Sequence, residues 1–104
     1  MGNKQRVLIM KRRIKHAKHR IRLRRGLWLK EHEIMGLIEQ IIMGESEFLI
    51  RFSRNFTLHR VTYKNERFPV IYSKRHKIIL TAYQNKWIRK RKNGSYLLRE
   101  QKQH

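Results

Sequence analysis

The chain of 104 residues contains 27 lysines and arginines against 7 acidic residues, which gives a formal net charge of +20. Hydrophobic residues make up 39% of the chain, enough for a modest core, which argues against wholesale disorder. Cysteine is absent, which excludes disulfides, thiolate metal sites and cysteine nucleophiles and fits a reducing compartment, so we expect a cytoplasmic protein.

The length suits a single domain over residues 1–104, in which three parts differ in pattern. We predict a helical part over about 5–43, a β-meander over about 47–83 and a basic C-terminal extension over 84–104. Clustered cations release counterions when they meet phosphates, so nucleic acid is the leading partner class. No apolar run approaches the roughly 18 residues of a membrane span, and no membrane partner is expected.

The first predicted element is an amphipathic helix over about residues 5–25. Apolar residues recur at steps of four, three and four from Met10 to Ile21, which is the spacing of one helical face. Gly26 is a natural helix end. An adjacent face carries basic residues and a histidine at the same kind of spacing. Its members are Arg13, His16, Arg20 and Arg24.

A second amphipathic helix is predicted in "LKEHEIMGLIEQIIMGE", which Gly44 ends. After it, "EFLIRF", "TLHRVTY", "FPVIY" and "KIILTAY" are short and rich in β-branched and aromatic residues, as strands are. "KNER" and "SKRHK" indicate hairpin turns, and Pro69 indicates an edge position or a strand start. The predicted fold class is α+β, with two N-terminal helices packed on an antiparallel sheet of four or more strands.

The C-terminal extension contains Asn93-Gly94, a favoured two-residue hairpin turn, but a helix and a loose tail remain open alternatives to a basic hairpin. Trp87 and Tyr96 lie among cations, a usual setting for stacking unpaired bases. Alternatively, both rings cover the edge of the core. The predicted nucleic-acid-binding residues are Arg13, Arg24, Arg25, Trp87, Arg89, Lys90, Arg91 and Lys92.

His16 and Arg20 lie one turn apart on the first predicted helix. A neutral histidine beside cations is what a general base acting on an RNA 2′-hydroxyl requires, and arginines can stabilise charge on the scissile phosphate. Two other interpretations stay open. The pair belongs to a solvated helix face that contacts phosphates, or it clamps the helix to the sheet.

Two strand residues complete the candidate catalytic set. His59 is either a second acid/base partner or a partly buried structural histidine. Thr81 is expected to share a strand face with Ile79 and Tyr83, where its hydroxyl can bond a phosphate or a leaving group, although ordinary β-propensity explains it equally well. No metal or cofactor is expected, because no carboxylate or cysteine is placed to complete a site with the histidines and no phosphate-cradling glycine loop occurs.

"HAKHR", the basic run to "RRG", a second helix and a strand closing on "IILTAY" resemble small bacterial and phage domains of the barnase–colicin–RelE-type ribonuclease superfamily. Those domains open with a helix of the form His-Ala-x-x-Arg, followed by Arg-Gly, and end on a strand of the form apolar-apolar-Thr-apolar-Tyr. The resemblance covers about residues 12–83 and points to His16, Arg20 and Thr81. The Arg-Gly element falls one residue later than the usual spacing.

The resemblance implies metal-independent cleavage of RNA to a 2′,3′-cyclic phosphate, with the ribosome orienting the messenger in RelE-type toxins. An acidic antitoxin or host protein would match the positive charge. We therefore predict an RNA-binding protein that is an endoribonuclease or toxin. The alternative is a non-catalytic phage- or plasmid-encoded factor that binds nucleic acid, the ribosome or a polymerase, and a ribosomal or nucleoid structural protein is a third interpretation.

Overall fold

The structure, a computed structural model, describes the backbone of residues 2–99 and the side chains of residues 11–99. Over that part of the chain, two helices precede a four-stranded antiparallel sheet and a small two-stranded sheet, which confirms the predicted α+β class. A short 3-10 turn, Asn85–Trp87, joins the two sheets. The elements are α1 (Gly2–Arg25), α2 (Glu31–Ile42), β1 (Glu47–Arg51), β2 (Phe56–Tyr63), β3 (Glu66–Ser73), β4 (Ile78–Ala82), β5 (Ile88–Lys90) and β6 (Tyr96–Leu98).

Each of the first four strands pairs with the next along the chain, in the order β1-β2-β3-β4. The turn between β2 and β3 consists of Lys64 and Asn65, because Tyr63 pairs with Glu66. Lys64 adopts a φ of 53°, in the left-handed region. Both helices pack on one face of the sheet, with α1 over β4 and α2 chiefly over β2. The connections from β2 to β3 and from β3 to β4 confirm the two hairpin turns predicted in "KNER" and "SKRHK".

The apolar stripe of α1 attaches this helix to the sheet. Ile14, Ala17 and Ile21 are 4%, 0% and 0% exposed. They share one core with side chains of β2, β3 and β4, among them Phe68. The predicted apolar face is confirmed for these three residues, whereas the side chain of Met10 lies outside the described residues.

Polar side chains of α2 add specific ties to β2. Glu33 accepts the hydroxyl of Tyr63 and, at 2.9 Å, the N–H of Lys30, and these two hydrogen bonds lower the pKa of Glu33. Further along the helix, the Gln40 amide donates to the carbonyl oxygen of Thr62 at 2.6 Å and accepts its N–H at 3.0 Å. Since β1 stops short of this position, Gln40 pairs the backbone groups of β2 that β1 leaves open.

The C-terminal extension forms a hairpin, β5–β6. The N–H of Arg91 donates to the carbonyl oxygen of Ser95 at 2.7 Å, and the N–H of Gly94 donates to the carbonyl oxygen of Arg91 at 3.0 Å. Gly94 has a φ of +88°, which a glycine adopts without steric cost. This is a three-residue hairpin loop over residues 92–94 with glycine in the left-handed position, so the predicted two-residue turn is wrong in length. Of the three alternatives left open by the sequence, the structure selects the basic hairpin.

A second core joins this hairpin to the sheet face opposite the helices. Tyr83 and Trp87 are both 8% exposed, and their rings lie 5.8 Å apart. The sheet is therefore covered on both faces, by helices on one side and by the hairpin on the other. The other residues of this core are Leu49 and Leu58, with Ile50, Ile71, Ile88, Tyr96 and Leu98 packed against them.

Pro69 does not occupy the predicted edge or strand start. It lies inside β3, an inner strand, and pairs with Arg60 of β2. On the β4 side, the last registered pair is Val70 with Ala82, and Pro69 contributes only its carbonyl oxygen, which accepts the N–H of Tyr83 at 2.8 Å. Proline has no N–H to donate, and Pro69 lies just beyond the last registered pair between β3 and β4. The β3–β4 ladder therefore loses no hydrogen bond within its registered stretch.

The burial of α1 yields a stability prediction. Ile21→Ala should lower the free energy of unfolding by about 2 to 5 kcal/mol, because it removes methylene groups from a fully buried site and leaves a cavity. Leu23→Ala is the matched control on the same helix, since Leu23 is 66% exposed, and should stay within about 0.5 kcal/mol of the parent. Urea unfolding followed by circular dichroism measures both. Equal losses for the two variants would contradict the packing of α1 described above.

Candidate nucleic-acid interface

The solvent side of α1 is strongly positive. Lys11, Lys15, Lys18 and Arg22 recur at steps of four, three and four, so they form one stripe about 16 Å long beside the buried face. We call these four residues the basic stripe. Lys18 is half-buried and the other three are exposed. Among the side chains of residues 11–99, no carboxylate forms an ion pair with any of them.

An exposed tryptophan lies at the C-terminal end of the basic stripe. Trp28 is 76% exposed, and the guanidinium of Arg22 lies over its ring, 4.2 Å from the centroid. Leu29, the next residue, is 4% exposed and anchors the α1–α2 linker in the core. The indole lines a groove of about 230 Å³ together with Lys15 and Lys18. Cations and a flat apolar surface thus meet at one place.

His16 and Arg20, the predicted centre of chemistry, are both exposed on α1. His16 lines a shallow groove with Arg12, Lys15 and His19, all of which come from α1 itself. Because neither side chain is buried, the pair does not clamp the helix to the sheet. Of the interpretations offered for it, the structure agrees with a solvated helix face.

Thr81 faces away from α1. It is 5% exposed and pairs with Ile71, which packs against the second core. The register of β3 with β4 shifts just beyond this pair, and Ile79 and Ala82 consequently both reach the helix-side core. Strict alternation would have put Thr81 on the same face as Ile79. An extra residue in β4 reverses that alternation, so the predicted face shared with Ile79 is wrong, whereas Tyr83 belongs to the second core, the side to which Thr81 turns.

His59 is held by hydroxyl groups rather than by α1. Its Nδ1 lies 3.2 Å from Oγ of Ser46, and its Nε2 lies 2.8 Å from Oγ1 of Thr57. The ring also meets the rings of Phe48 and Tyr72 edge-on. None of these partners belongs to α1, and His59 itself lies on β2, two strands from the β4 strand that α1 covers. His59 therefore matches the partly buried structural alternative.

The four candidate catalytic residues do not share a groove. His16 and Arg20 are on the outer side of α1, His59 lies on a different part of the sheet, and Thr81 is buried on the opposite sheet face. Among the side chains of residues 11–99, no group of three or more histidines and carboxylates is close enough to hold a metal ion. The arrangement offers positive charge and an aromatic surface, not an assembled acid/base site.

The other predicted phosphate-binding arginines of α1 differ in availability. Arg13 is half-buried. Arg24 lies over the ring of Tyr83, 5.0 Å from its centroid. The Arg25 side chain is only 9% exposed, is paired with Glu66 and donates to Gln84 at 3.1 Å, so it ties the end of α1 to the sheet. These contacts direct both Arg24 and Arg25 inward, whereas the basic stripe points outward.

In the C-terminal hairpin the predicted cations are exposed, whereas the two rings predicted to stack on bases are buried or half-buried. Trp87 is buried in the second core, so it presents no open ring for a base, and its Nε1 has no hydrogen-bond partner among the described residues. Tyr96 is half-buried, with Nζ of Lys90 5.9 Å from its centroid. The alternative in which both rings cover the core is the one observed. The exposed cations are Arg89, Lys90, Arg91 and Lys92.

The exposed tryptophan is Trp28, which the sequence analysis did not single out. Its signal is present in "RRGLWLK", where an aromatic residue follows a helix end between two arginines and a lysine. Periodicity assigns residues to helix faces but says nothing about a residue in a linker, so only the tertiary placement of the linker shows that the ring points to solvent.

Within residues 2–99, no helix is long and apolar enough to cross a bilayer.

Comparison with protein-family models, curated proteins and solved structures finds no match for this chain. The resemblance to the barnase–colicin–RelE-type superfamily therefore stays a prediction.

The environment of His59 generates a pH prediction. Burial of the ring and, secondarily, the charge of Lys74 lower the pKa of His59 from its usual 6.5. A histidine with a lowered folded-state pKa contributes stability that is complete above the unfolded value and is lost as the pH falls through the folded value. The free energy of unfolding of the parent minus that of His59→Gln should therefore shrink as the pH falls below 6.5.

Urea unfolding of both proteins between neutral pH and about pH 5 measures this difference. Lys74→Gln is the control, because it removes only the smaller of the two causes and should retain most of the pH dependence. A difference between parent and His59→Gln that is constant over this range would contradict the buried, hydroxyl-bonded placement of the ring.

Proposed function

We propose that this protein binds nucleic acid, RNA above all, through the outer surface of α1 and without cleaving it. The observation that carries the proposal is the basic stripe, four cations on one helix face that have no carboxylate partner among residues 11–99. Such a stripe releases counterions when it meets a row of phosphates, which supplies affinity that does not depend on sequence.

The shape of the surface supports the same proposal. α1 spans 24 residues, a length of about 36 Å, of which the basic stripe occupies about 16 Å, and polyanions are linear arrays of charge. The hairpin adds exposed cations on the other side of the sheet, so the positive charge is not confined to one element. The absence of cysteine fits the cytoplasm, the compartment that the proposal assigns.

The salt dependence of the affinity for RNA tests whether the protein binds phosphates. The affinity for a labelled single-stranded RNA should fall steeply with salt. The triple variant Lys11→Gln, Lys15→Gln, Lys18→Gln should reduce the log–log slope by about 2, since each lost phosphate contact contributes about 0.7. Glutamine preserves helix propensity at these positions. Fluorescence anisotropy at several salt concentrations measures the slope.

A charge-matched control locates the effect. Arg51, Arg54 and Lys74 are exposed cations on β1 and on the β1–β2 and β3–β4 turns, and changing all three to glutamine removes the same charge as the stripe variant. We expect the control to leave the slope nearly unchanged. Equal slopes for both triple variants would show that binding is not centred on α1, and an affinity that is flat with salt would refute phosphate binding altogether.

The second test concerns catalysis. We expect end-labelled RNA to stay full length when incubated with the purified protein, with and without ribosomes, because His16 and Thr81 lie on different sides of the sheet. Gel analysis of the label detects cleavage. Fragments that end in a 2′,3′-cyclic phosphate and vanish with His16→Ala or Arg20→Ala would restore the ribonuclease hypothesis. Fragments that persist in both variants would indicate a contaminating nuclease.

A further inference from the structure

The side chain of Trp28 is exposed although its backbone is fixed on both sides. Gly26, with a φ of +68°, ends α1, and its N–H donates to the carbonyl oxygen of Arg22 at 2.8 Å. Leu29 is buried in the helix-side core. Between these two anchors, the indole is 76% exposed, an unusual position for a side chain that normally contributes so much to burial. The linker therefore holds the ring outward rather than leaving it on a loose tail.

The surroundings of the ring are cationic. The guanidinium of Arg22 lies 4.2 Å from its centroid, in cation–π contact. The groove beside it is lined by Lys15, Lys18 and His19 as well as by Arg22. The groove has a volume of about 230 Å³, and three of the four residues of the basic stripe line it.

We propose that an unpaired nucleobase stacks on Trp28 while the phosphates of the same strand follow the basic stripe, so that the ligand is single-stranded nucleic acid. This inference rests on the proposed function. Every base has a π face, so stacking tolerates any sequence, and cations at the edge hold the backbone. A duplex keeps its bases stacked on one another and offers a π face only at its ends, and it therefore gains little from Trp28.

An exposed tryptophan is also a common anchor in protein–protein interfaces. Here the three cations beside the ring, Lys15, Lys18 and Arg22, favour a phosphate-bearing ligand over an apolar pocket on another protein. Packing within this chain does not explain the position of the ring, since Trp28 remains exposed in the folded chain. The two ligand classes give different results in the experiment below.

Three probes separate stacking from charge: a short oligouridine, an abasic strand with the same number of phosphates, and a blunt RNA duplex. With the full-length chain, Trp28→Ala should weaken oligouridine binding by about 5- to 150-fold, the range for loss of one stacked base. Binding of the abasic strand and of the duplex should change less than about twofold. Trp28→Phe should retain most of the oligouridine affinity, and Leu23→Ala, which removes another exposed apolar side chain, should match the parent.

Fluorescence gives a readout that a merely structural role would not alter. The chain has two tryptophans, of which Trp87 is 8% exposed and Trp28 is 76% exposed. Oligouridine should quench the emission of the parent, because a stacked base contacts the exposed indole. The abasic strand should not quench it, and Trp28→Phe should show no quenching by either probe.

The outcomes distinguish the two proposals. If Trp28→Ala binds oligouridine as the parent does while all three probes still bind in a salt-dependent way, stacking is refuted and phosphate binding stands. If Trp28→Ala weakens all three probes equally, the ring only positions Arg22, and stacking is again refuted. If the parent binds no probe, both proposals fail, and Trp28 becomes a candidate anchor for a protein partner.

Discussion

The burial of one apolar stripe of α1 against the sheet is the constraint on which the rest of this structure depends. The first 25 residues carry 11 cations and no acid, and like charges one turn apart destabilise a helix. An isolated helix of this kind is marginal at best, because most helical stability in proteins comes from packing. Ile14, Ala17 and Ile21 supply that packing, so the charge is tolerated because the opposite side of the same helix is buried.

This packing also sets the rotation of the helix, and the rotation decides which cations meet a ligand. Once the apolar stripe faces the core, Lys11, Lys15, Lys18 and Arg22 must face solvent, while the last arginines of α1 turn toward the end of the sheet. Arg25 illustrates the second group, since its contacts with Glu66 and Gln84 make it part of the fold. An arginine thus belongs to the exposed stripe at Arg22 and to the fold at Arg25. The difference between them is the angle of each side chain around the helix.

The second constraint is that the sheet is covered on both faces. The hairpin β5–β6 and the turn before it place Trp87 and Tyr83 against the strands, and this removes from solvent the ring that lies among the C-terminal cations. The exposed tryptophan is instead Trp28, in the linker that follows α1. The C-terminal hairpin carries cations without an exposed ring, whereas the cations of α1 lie beside the exposed ring of Trp28. The single-strand proposal therefore concerns α1 alone.

The sequence by itself determined the fold class, the two helices, the four-strand meander and the strong positive charge, because hydrophobic periodicity, glycine positions and composition are local properties. It did not determine the side of β4 on which Thr81 lies, since one extra residue in that strand reverses every later side chain and leaves no mark on the pattern. Nor did it distinguish the buried Trp87 from the exposed Trp28, which have similar basic neighbours in the chain. Those choices depend on contacts between distant segments, and only the tertiary structure made them.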